Sequence, residues 1–520
     1  MHTFTSRDLL ILVMVARVLT AAPVGFDGQI IEVESDTKKG LPSLQIVGLG
    51  NKAIDEAKER VRSAITNSFL EFPVNKVIIN LAPAELPKDG THYDLPIALS
   101  ILCASGQLHQ SELSDSLFIG ELALDGTIRP VRGVINITES AKNAGISRIY
   151  LPSLNANQAC LIKDVEIYPV DSLKQLYLHL KQEALVTAYT PNQKPNISEK
   201  TVNPPTLDDV LGQEQAKRAL TIAAAGHHNI LMTGPPGSGK SMLAKALVNL
   251  LPPLSTDEQL AVTKLYSLAG ETEGVVAVKR PFRSPHHTAS QISITGGGVR
   301  PKPGEISLSH TGVLFLDELP EYSRSTLESL RQPLEDKQIS ISRSNGNVIY
   351  PADFMLVATM NPCPCGYLGD SKKECNCSAS QILMYQKKLS GPLLDRIDLV
   401  INVSKVPNET LLNNTSLKQS QQESAEQIIK MAQNMQADRY DSSTMYNASI
   451  DSTAVKKYIK ISSAATELLK NASEKLSISA RSYFKIIKVA RTIADLAGDI
   501  DILPEHISEA LQYRLNQPLN

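Results

Sequence analysis

The run Gly234-Pro235-Pro236-Gly237-Ser238-Gly239-Lys240-Ser241 constrains this chain more than any other segment. It matches G-x-x-x-x-G-K-[ST] in full, follows the apolar residues 229–233 and precedes a helical pattern over 242–250. Strand, glycine loop and helix in that order make a phosphate cradle. Glycines let backbone N–H groups turn inward without a Cβ clash. The helix N-terminus adds partial positive charge. Lys240 is expected to reach the β- and γ-phosphates and Ser241 to ligate Mg²⁺, so ATP and Mg²⁺ are the expected cofactors. A glycine-rich turn arising by chance is the bland alternative, and the flanking strand and helix argue against it.

Two further apolar runs end in polar tips. Val313-Leu-Phe-Leu-Asp317-Glu318 delivers two carboxylates about eighty residues after the glycine loop. Asp317 suits the Mg²⁺ shell and Glu318 the polarisation of an attacking water. Phe354-Met-Leu-Val-Ala-Thr-Met-Asn361 delivers one amide, fit to sense a γ-phosphate or place the water. Arg396, in Gly391-Pro-Leu-Leu-Asp-Arg-Ile-Asp398, and Arg481, in Ser477-Ile-Ser-Ala-Arg-Ser-Tyr483, are permanently charged groups suited to bidentate phosphate contact. Arg396 is assigned as a finger into a neighbouring subunit. Arg481 is assigned to a lid, touching the γ-phosphate of its own subunit. From spacing alone, a surface salt bridge is the simpler reading of either arginine.

At 520 residues the chain is too long for one domain. Its 42% apolar and 20% charged residues are ordinary for globular proteins, and a net charge of −2 means that any nucleic-acid surface must be local. The pattern predicts an α/β region over 1–185, a proline-rich linker over 186–205, a second α/β region over 206–405 and a helical region over 406–520. Residues 51–67 have helical spacing. Residues 9–22 resemble a signal-peptide core, but are too short to span a bilayer and are interrupted by Arg17. A first strand behind an ill-fitting leader is the preferred reading, with a cytoplasmic protein.

Of six cysteines, Cys103 and Cys160 stand alone in apolar surroundings and are expected to be small buried hydrophobes. Cys363, Cys365, Cys375 and Cys377 form C-x-C-x₉-C-x-C. Four thiols in one loop suit a structural Zn²⁺, although the C-x-C spacing is tighter than the usual C-x₂-C. Scattered reduced cysteines are the alternative. Lys372 and Lys373 within the loop suit phosphate or are plain surface lysines. His286 and His287, being adjacent, are expected to point to opposite sides and make a poor metal pair.

The stretches GLPSLQIVGL, NLAPAELPKDG, DLPIALSIL, GELALDGTIRPVRG, DVLGQEQAKRAL, RPFRSPHHTAS, GEISLSHTGVLFLDELPE, LRQPLED and KVARTIADLAG are long and in order. On them the chain resembles the ComM/YifB family of magnesium-chelatase-like AAA+ proteins, over nearly everything after about residue 22. The resemblance implies a Lon-protease-like N-terminal domain, a P-loop AAA+ αβα sandwich and a C-terminal helical lid. It implies Arg396 and Arg481 as finger and sensor, and residues 210–213 beside the adenine. It also implies a homohexamer, because a finger acting in trans needs a neighbour. The Ser–Lys dyad of Lon is missing: His92 stands at the nucleophile position and Ile135 near that of the lysine. Without a hydroxyl and its base that chemistry cannot run. The domain reads as a scaffold, with His92 a surface or core histidine.

Residues 337–350 alternate and carry Asn345-Gly346 as a turn signal. Residues 295–302 read as a flexible basic loop. Both resemble the pore inserts of this AAA+ branch, with Arg300, Lys302 and Arg343 as DNA-phosphate contacts. Ordinary exposed hairpins are the alternative. The resulting expectation is a hexameric ATP-dependent DNA translocase or helicase. It would act on single-stranded and branched DNA, promote branch migration in recombination during natural transformation, work beside recombination proteins and need no membrane. A MoxR-like protein remodeller is the alternative. A protease lacks its dyad, and chelatase motor subunits lack the first domain.

Overall fold

A computed structural model of the chain describes residues 15–47, 52–83, 90–190, 205–271, 274–298, 301–343, 346–370, 373–406 and 420–514. Residues 191–204 of the expected linker lie outside the described residues, as do residues 9–14 of the apolar N-terminal run and residues 407–419. The chain forms two compact units. One comprises Met1–Ile197 and Gln259–Ala277, the other Ser198–Glu258 and Val278–Asn520.

The first unit is built on strands β1 (Ala16–Val24), β2 (Asp27–Lys38), β3 (Ser43–Val47), β4 (Lys76–Ala82), β5 (Ser116–Phe118), β8 (Arg148–Pro152) and β9 (Glu166–Val170), in the order β3-β4-β2-β1-β5-β8-β9. A short pair, β6 (Glu121–Leu122) and β7 (Ile128–Arg129), stands apart from that sheet. β1 pairs antiparallel with β2 and parallel with β5. Both faces are covered, as the period of two dictates. Val18, Ala22, Phe118 and Tyr150 join one apolar cluster with the helices Lys52–Asn67 and Asp94–Ala104. Ala21, Leu117, Ile149 and Leu151 join another with the helix Val134–Asn143. The apolar run near the N-terminus is therefore, from Ala16 on, an interior strand. Cys103 and Cys160 are half-buried at the margins of these clusters and not fully inside, as had been expected.

The second unit holds a five-stranded sheet in the order β11-β14-β17-β10-β18, every neighbouring pair parallel. Its strands are β10 (Ile230–Thr233), β11 (Phe282–Arg283), β14 (Val313–Leu316), β17 (Met355–Met360) and β18 (Leu399–Asn402). β18 was not singled out in the sequence, being a four-residue apolar run like many others. Two hairpins lie outside the sheet: β12 (Gly296–Gly297) with β13 (Lys302–Pro303), and β15 (Gln338–Arg343) with β16 (Gly346–Pro351). The α/β class, parallel sheet and C-terminal helices are as expected. The helices Gln421–Tyr440, Ala480–Ala497 and Pro504–Gln512 share one apolar core with the sheet, through residues such as Ile429, Ile486 and Ile507 beside Ala223 and Leu399. Within the helices a buried Asp495 accepts from Arg439 (3.0 Å), Arg491 (3.1 Å) and Asn447 (2.8 Å). A buried carboxylate without such partners would be costly.

Candidate nucleotide site, thiol cluster and hairpins

In a parallel sheet all C-terminal strand ends lie along one edge, where crossover loops form ligand sites. β10 runs into Gly234–Ser241, its neighbour β17 into Asn361, and the next strand β14 into Asp317-Glu318. The sheet order therefore brings the three separate motifs together. Gly234 must be glycine, since a Cβ there would meet the Val403 carbonyl oxygen at 2.2 Å. Gly237 and Gly239 have φ of 74° and 90°. The helix Lys240–Leu250 starts at Gly239 without a side-chain cap, which leaves its first N–H groups for a ligand.

Lys240 is nearly buried. Its Nζ donates to the carbonyls of Gly234 (2.7 Å) and Pro235 (3.0 Å) and to Asn361 Oδ1 (3.5 Å). Burial lowers its pKa, against the pull of Asp317 and Glu318. Ser241 Oγ donates to Asp317 Oδ2 at 3.3 Å. A hydroxyl and a carboxylate this close are a hard-oxygen pair that fits Mg²⁺. Sequence reasoning missed Thr359, a buried residue on β17. Its hydroxyl donates to Asp317 Oδ1 and accepts from the Glu318 backbone N–H at 3.0 Å, fixing the Asp317 carboxylate and the Glu318 main chain. Glu318 itself has φ 52°, a costly backbone for a non-glycine residue, of the kind that gathers at functional positions. Gln213 donates to the Ser238 carbonyl at 3.4 Å, so the segment 210–213 reaches the glycine loop.

The two arginines lie elsewhere. Arg396 precedes β18, and Arg481 opens the helix Ala480–Ala497. Both pair with Glu335, Arg481 at 2.7 Å, and both line a cavity of about 550 Å³ with Asn229, Asp353 and Asp398. Asn229, Asp353 and Asp398 precede β10, β17 and β18, at the opposite edge of the sheet from Lys240. This corrects the assignment of Arg481 to its own subunit's γ-phosphate. The helix that carries it packs so that its guanidinium joins Arg396. Arg396 hydrogen bonding, followed by the charges of both arginines, holds the Glu335 carboxyl below the usual range.

The four thiols come together. Cys363 Sγ lies 3.4 Å from Cys365 Sγ and 3.6 Å from Cys375 Sγ, Cys365 lies 3.6 Å from Cys375, and all four sulfurs fall within 4.8 Å of one another. Tetrahedral zinc with Zn–S of about 2.3 Å places sulfurs about 3.8 Å apart, so the set fits the ion. Lys373 sits over the Tyr367 ring at 4.9 Å, and Lys372 lies outside the described residues.

The basic loop expected at 295–302 is part of a hairpin. Gly296 pairs with Pro303 and Gly297 with Lys302, and a Cβ on Gly296 (φ 88°) would meet the Lys302 carbonyl oxygen at 2.5 Å. In the other hairpin Arg343 pairs with Gly346, so Gly346 belongs to the returning strand and not to the turn. The hairpins touch. Tyr350 Oη donates to the Pro301 carbonyl at 2.8 Å, and the Gly296 position faces Ile341. Lys302 is exposed. Arg300 and the Arg343 side chain lie outside the described residues, so the expected DNA contacts there are untouched by this geometry. The rings of His286 and His287 stand 4.1 Å apart instead of diverging, with His286 Nδ1 bonded to Thr288 Oγ1.

In the first unit His92 is buried against Tyr93, its Nε2 without a hydrogen-bond partner, and burial pushes its pKa down to about 4. It is a core histidine. Ile135 is fully buried. Among the described residues no helix is long and apolar enough to cross a membrane.

Three family models match the chain: "Magnesium chelatase, subunit ChlI" over residues 206–411, "Subunit ChlI of Mg-chelatase" over 33–155, and "Magnesium chelatase, subunit ChlI C-terminal" over 419–514. The chain is 42% identical to competence protein ComM of Haemophilus influenzae over 502 residues, covering 96% of this chain and 97% of that protein. It is 42% identical to YifB of Escherichia coli over 497 residues, covering 95% and 96%. To the magnesium-chelatase 67 kDa subunit of Heliobacterium mobile it is 28% identical over 191 residues, 31% of this chain and 28% of that one.

Proposed function

Given that the chain belongs to the ComM/YifB family of magnesium-chelatase-like AAA+ proteins, we propose that it is an ATP hydrolase that assembles as a homohexamer in the cytoplasm and drives branch migration of DNA. Meeting of Lys240, Ser241, Asp317, Glu318 and Asn361 along one sheet edge is the observation that carries the ATPase reading. Lys240 exchanges the Gly234 and Pro235 carbonyls for β- and γ-phosphate oxygens. Ser241 and Asp317 would hold Mg²⁺, which when bound would neutralise charge on the phosphates. Glu318 accepts a proton from the attacking water, and Asn361 orients that water against the γ-phosphate. Thr359 keeps the Asp317 carboxylate and the Glu318 backbone in place. Arg396 and Arg481, presented together at the far edge, reach the phosphates bound by a neighbouring subunit. That arrangement needs a ring.

The DNA reading is supported by similarity to ComM along nearly the full chain and by two touching hairpins with exposed Lys302. Arg300, Lys302 and Arg343 contact DNA phosphates in this reading, on single-stranded and branched DNA, beside recombination proteins in natural transformation. The test is a three-strand DNA substrate incubated with the protein and either ATP or a non-hydrolysable analogue. Strand exchange past a branch point with ATP alone is the expected result. An ATPase that leaves every DNA substrate unchanged would leave a MoxR-like protein remodeller in its place.

A further inference from the structure

The thiol cluster is built into the nucleotide site. Cys363 stands two residues beyond Asn361, the amide that accepts from the P-loop lysine. Past Cys377 the chain enters the helix Ala379–Gln386, capped by Ser378, and that helix turns back on the start of the loop. Gln386 Nε2 donates to the Pro362 carbonyl at 3.5 Å. Between these ends Gly366, with φ 82°, lies directly on the P-loop: a Cβ there would come within 2.7 Å of Pro236 Cδ.

The described part of residues 363–377 contains neither helix nor strand. Its backbone holds itself through isolated turns, Gly366 N to Cys363 O (3.0 Å) and Asp370 N to Tyr367 O (3.0 Å), with a Lys405–Asp370 pair at 2.6 Å. Protonated thiols are weak donors and hold little together. Sulfurs at 3.4 to 3.6 Å in a mutual cluster match one tetrahedral ion far better than two disulfides, which would need S–S contacts near about 2 Å.

We propose that Cys363, Cys365, Cys375 and Cys377 bind one Zn²⁺ as thiolates, and that the ion clamps the loop so that Asn361 and Pro236 keep their places around the ATP phosphates. Binding releases the thiol protons to solvent, with no change of oxidation state. The zinc site is thus a positioning device for hydrolysis, and the proposal rests on reading Gly234–Ser241 and Asn361 as the nucleotide site.

The experiment uses the full chain purified under reducing conditions. Elemental analysis should find one zinc per chain, lost in Cys375→Ser/Cys377→Ser and kept in Cys375→His, since His can replace one Cys ligand. Binding of a fluorescent ATP analogue should weaken about tenfold or more in the zinc-free double variant, because a displacement of about 1 Å at such a site is costly. It should stay near wild type in Cys375→His. Chelator treatment of the wild type should weaken binding likewise, and Zn²⁺ alone should restore it. The far-ultraviolet circular dichroism of the double variant should match the wild type. Wild-type protein with all six thiols titratable and no zinc would overturn the metal site. Zinc loss with unchanged analogue affinity would overturn the clamp. Lys240→Ala separates the two readings: it should lose the analogue and keep its zinc. A wild-type chain that holds zinc but binds no analogue would sink the nucleotide reading and the clamp together, leaving the metal site alone.

Discussion

Glu335 holds both guanidinium groups that the proposed mechanism needs for a neighbour's phosphates. The carboxylate keeps two like charges side by side until phosphate oxygens compete for them, and so acts as a stand-in for the triphosphate. Arg396→Ala should lower turnover in the assembled ring by about 10³-fold, the usual worth of an arginine finger, with little change in ATP binding. In a mixture with the catalytically dead Lys240→Ala chain, Arg396→Ala subunits should regain turnover, because the defective finger and the defective P-loop then sit on different subunits. Steady-state hydrolysis across mixing ratios checks this, and no recovery at any ratio would place the finger in cis. Arg481→Ala should behave in the same way. That Arg481 joins Arg396 was invisible in the sequence. The two lie 85 positions apart, and only the packing of the helix Ala480–Ala497 on the sheet brings them to one carboxylate. The P-loop, Asp317-Glu318 and Asn361 were legible because each is a polar tip on a short apolar strand. Thr359 was not, because a threonine inside a strand looks like any other β-former.

The hairpins carry the DNA half of the proposal, and they stand or fall as a pair. Gly296→Val would add a side chain where a Cβ already meets the Lys302 carbonyl at 2.5 Å, at a φ of 88° that a β-branched residue strongly resists. The expected outcome is loss of DNA stimulation with basal ATP hydrolysis retained. A filter-binding assay beside a hydrolysis assay reads both, and unchanged DNA stimulation would remove the hairpins from the DNA path. The longer hairpin was readable from its alternation, though Gly346 pairs with Arg343 and so lies on the returning strand. The shorter one was not, since three consecutive glycines give no strand signal.

Neither unit's core depends on net charge, and at −2 the chain has no overall field to draw in DNA. What pH acts on is the protonation of buried groups. His92 is held neutral with a pKa of about 4, while an unfolded histidine sits near about 6.5. The stability it contributes is fully present above the unfolded value and is lost as pH falls from there towards 4. At pH 5 the loss is about 2 kcal/mol. Thermal melts of the wild type between pH 7 and 5 should therefore fall more steeply than those of His92→Phe, and identical slopes would show that His92 does not couple folding to pH. The α/β order was legible from alternating apolar runs. The sharing of one core by sheet and C-terminal helices was not, because residues such as Ile429 and Ile486 give only a helical face and not its partner.

The central claim is a motor whose hydrolysis answers to DNA. The direct measurement is steady-state ATPase rate without DNA, with single-stranded DNA and with forked DNA, at two salt concentrations, beside Glu318→Gln. The expected result is a rate raised by DNA, a stimulation that weakens at higher salt because phosphate contacts release counterions, and a Glu318→Gln chain that is inert throughout. A wild-type rate indifferent to every DNA at both salts, with Glu318→Gln still inert, would contradict the claim and leave an ATPase that works on something other than nucleic acid.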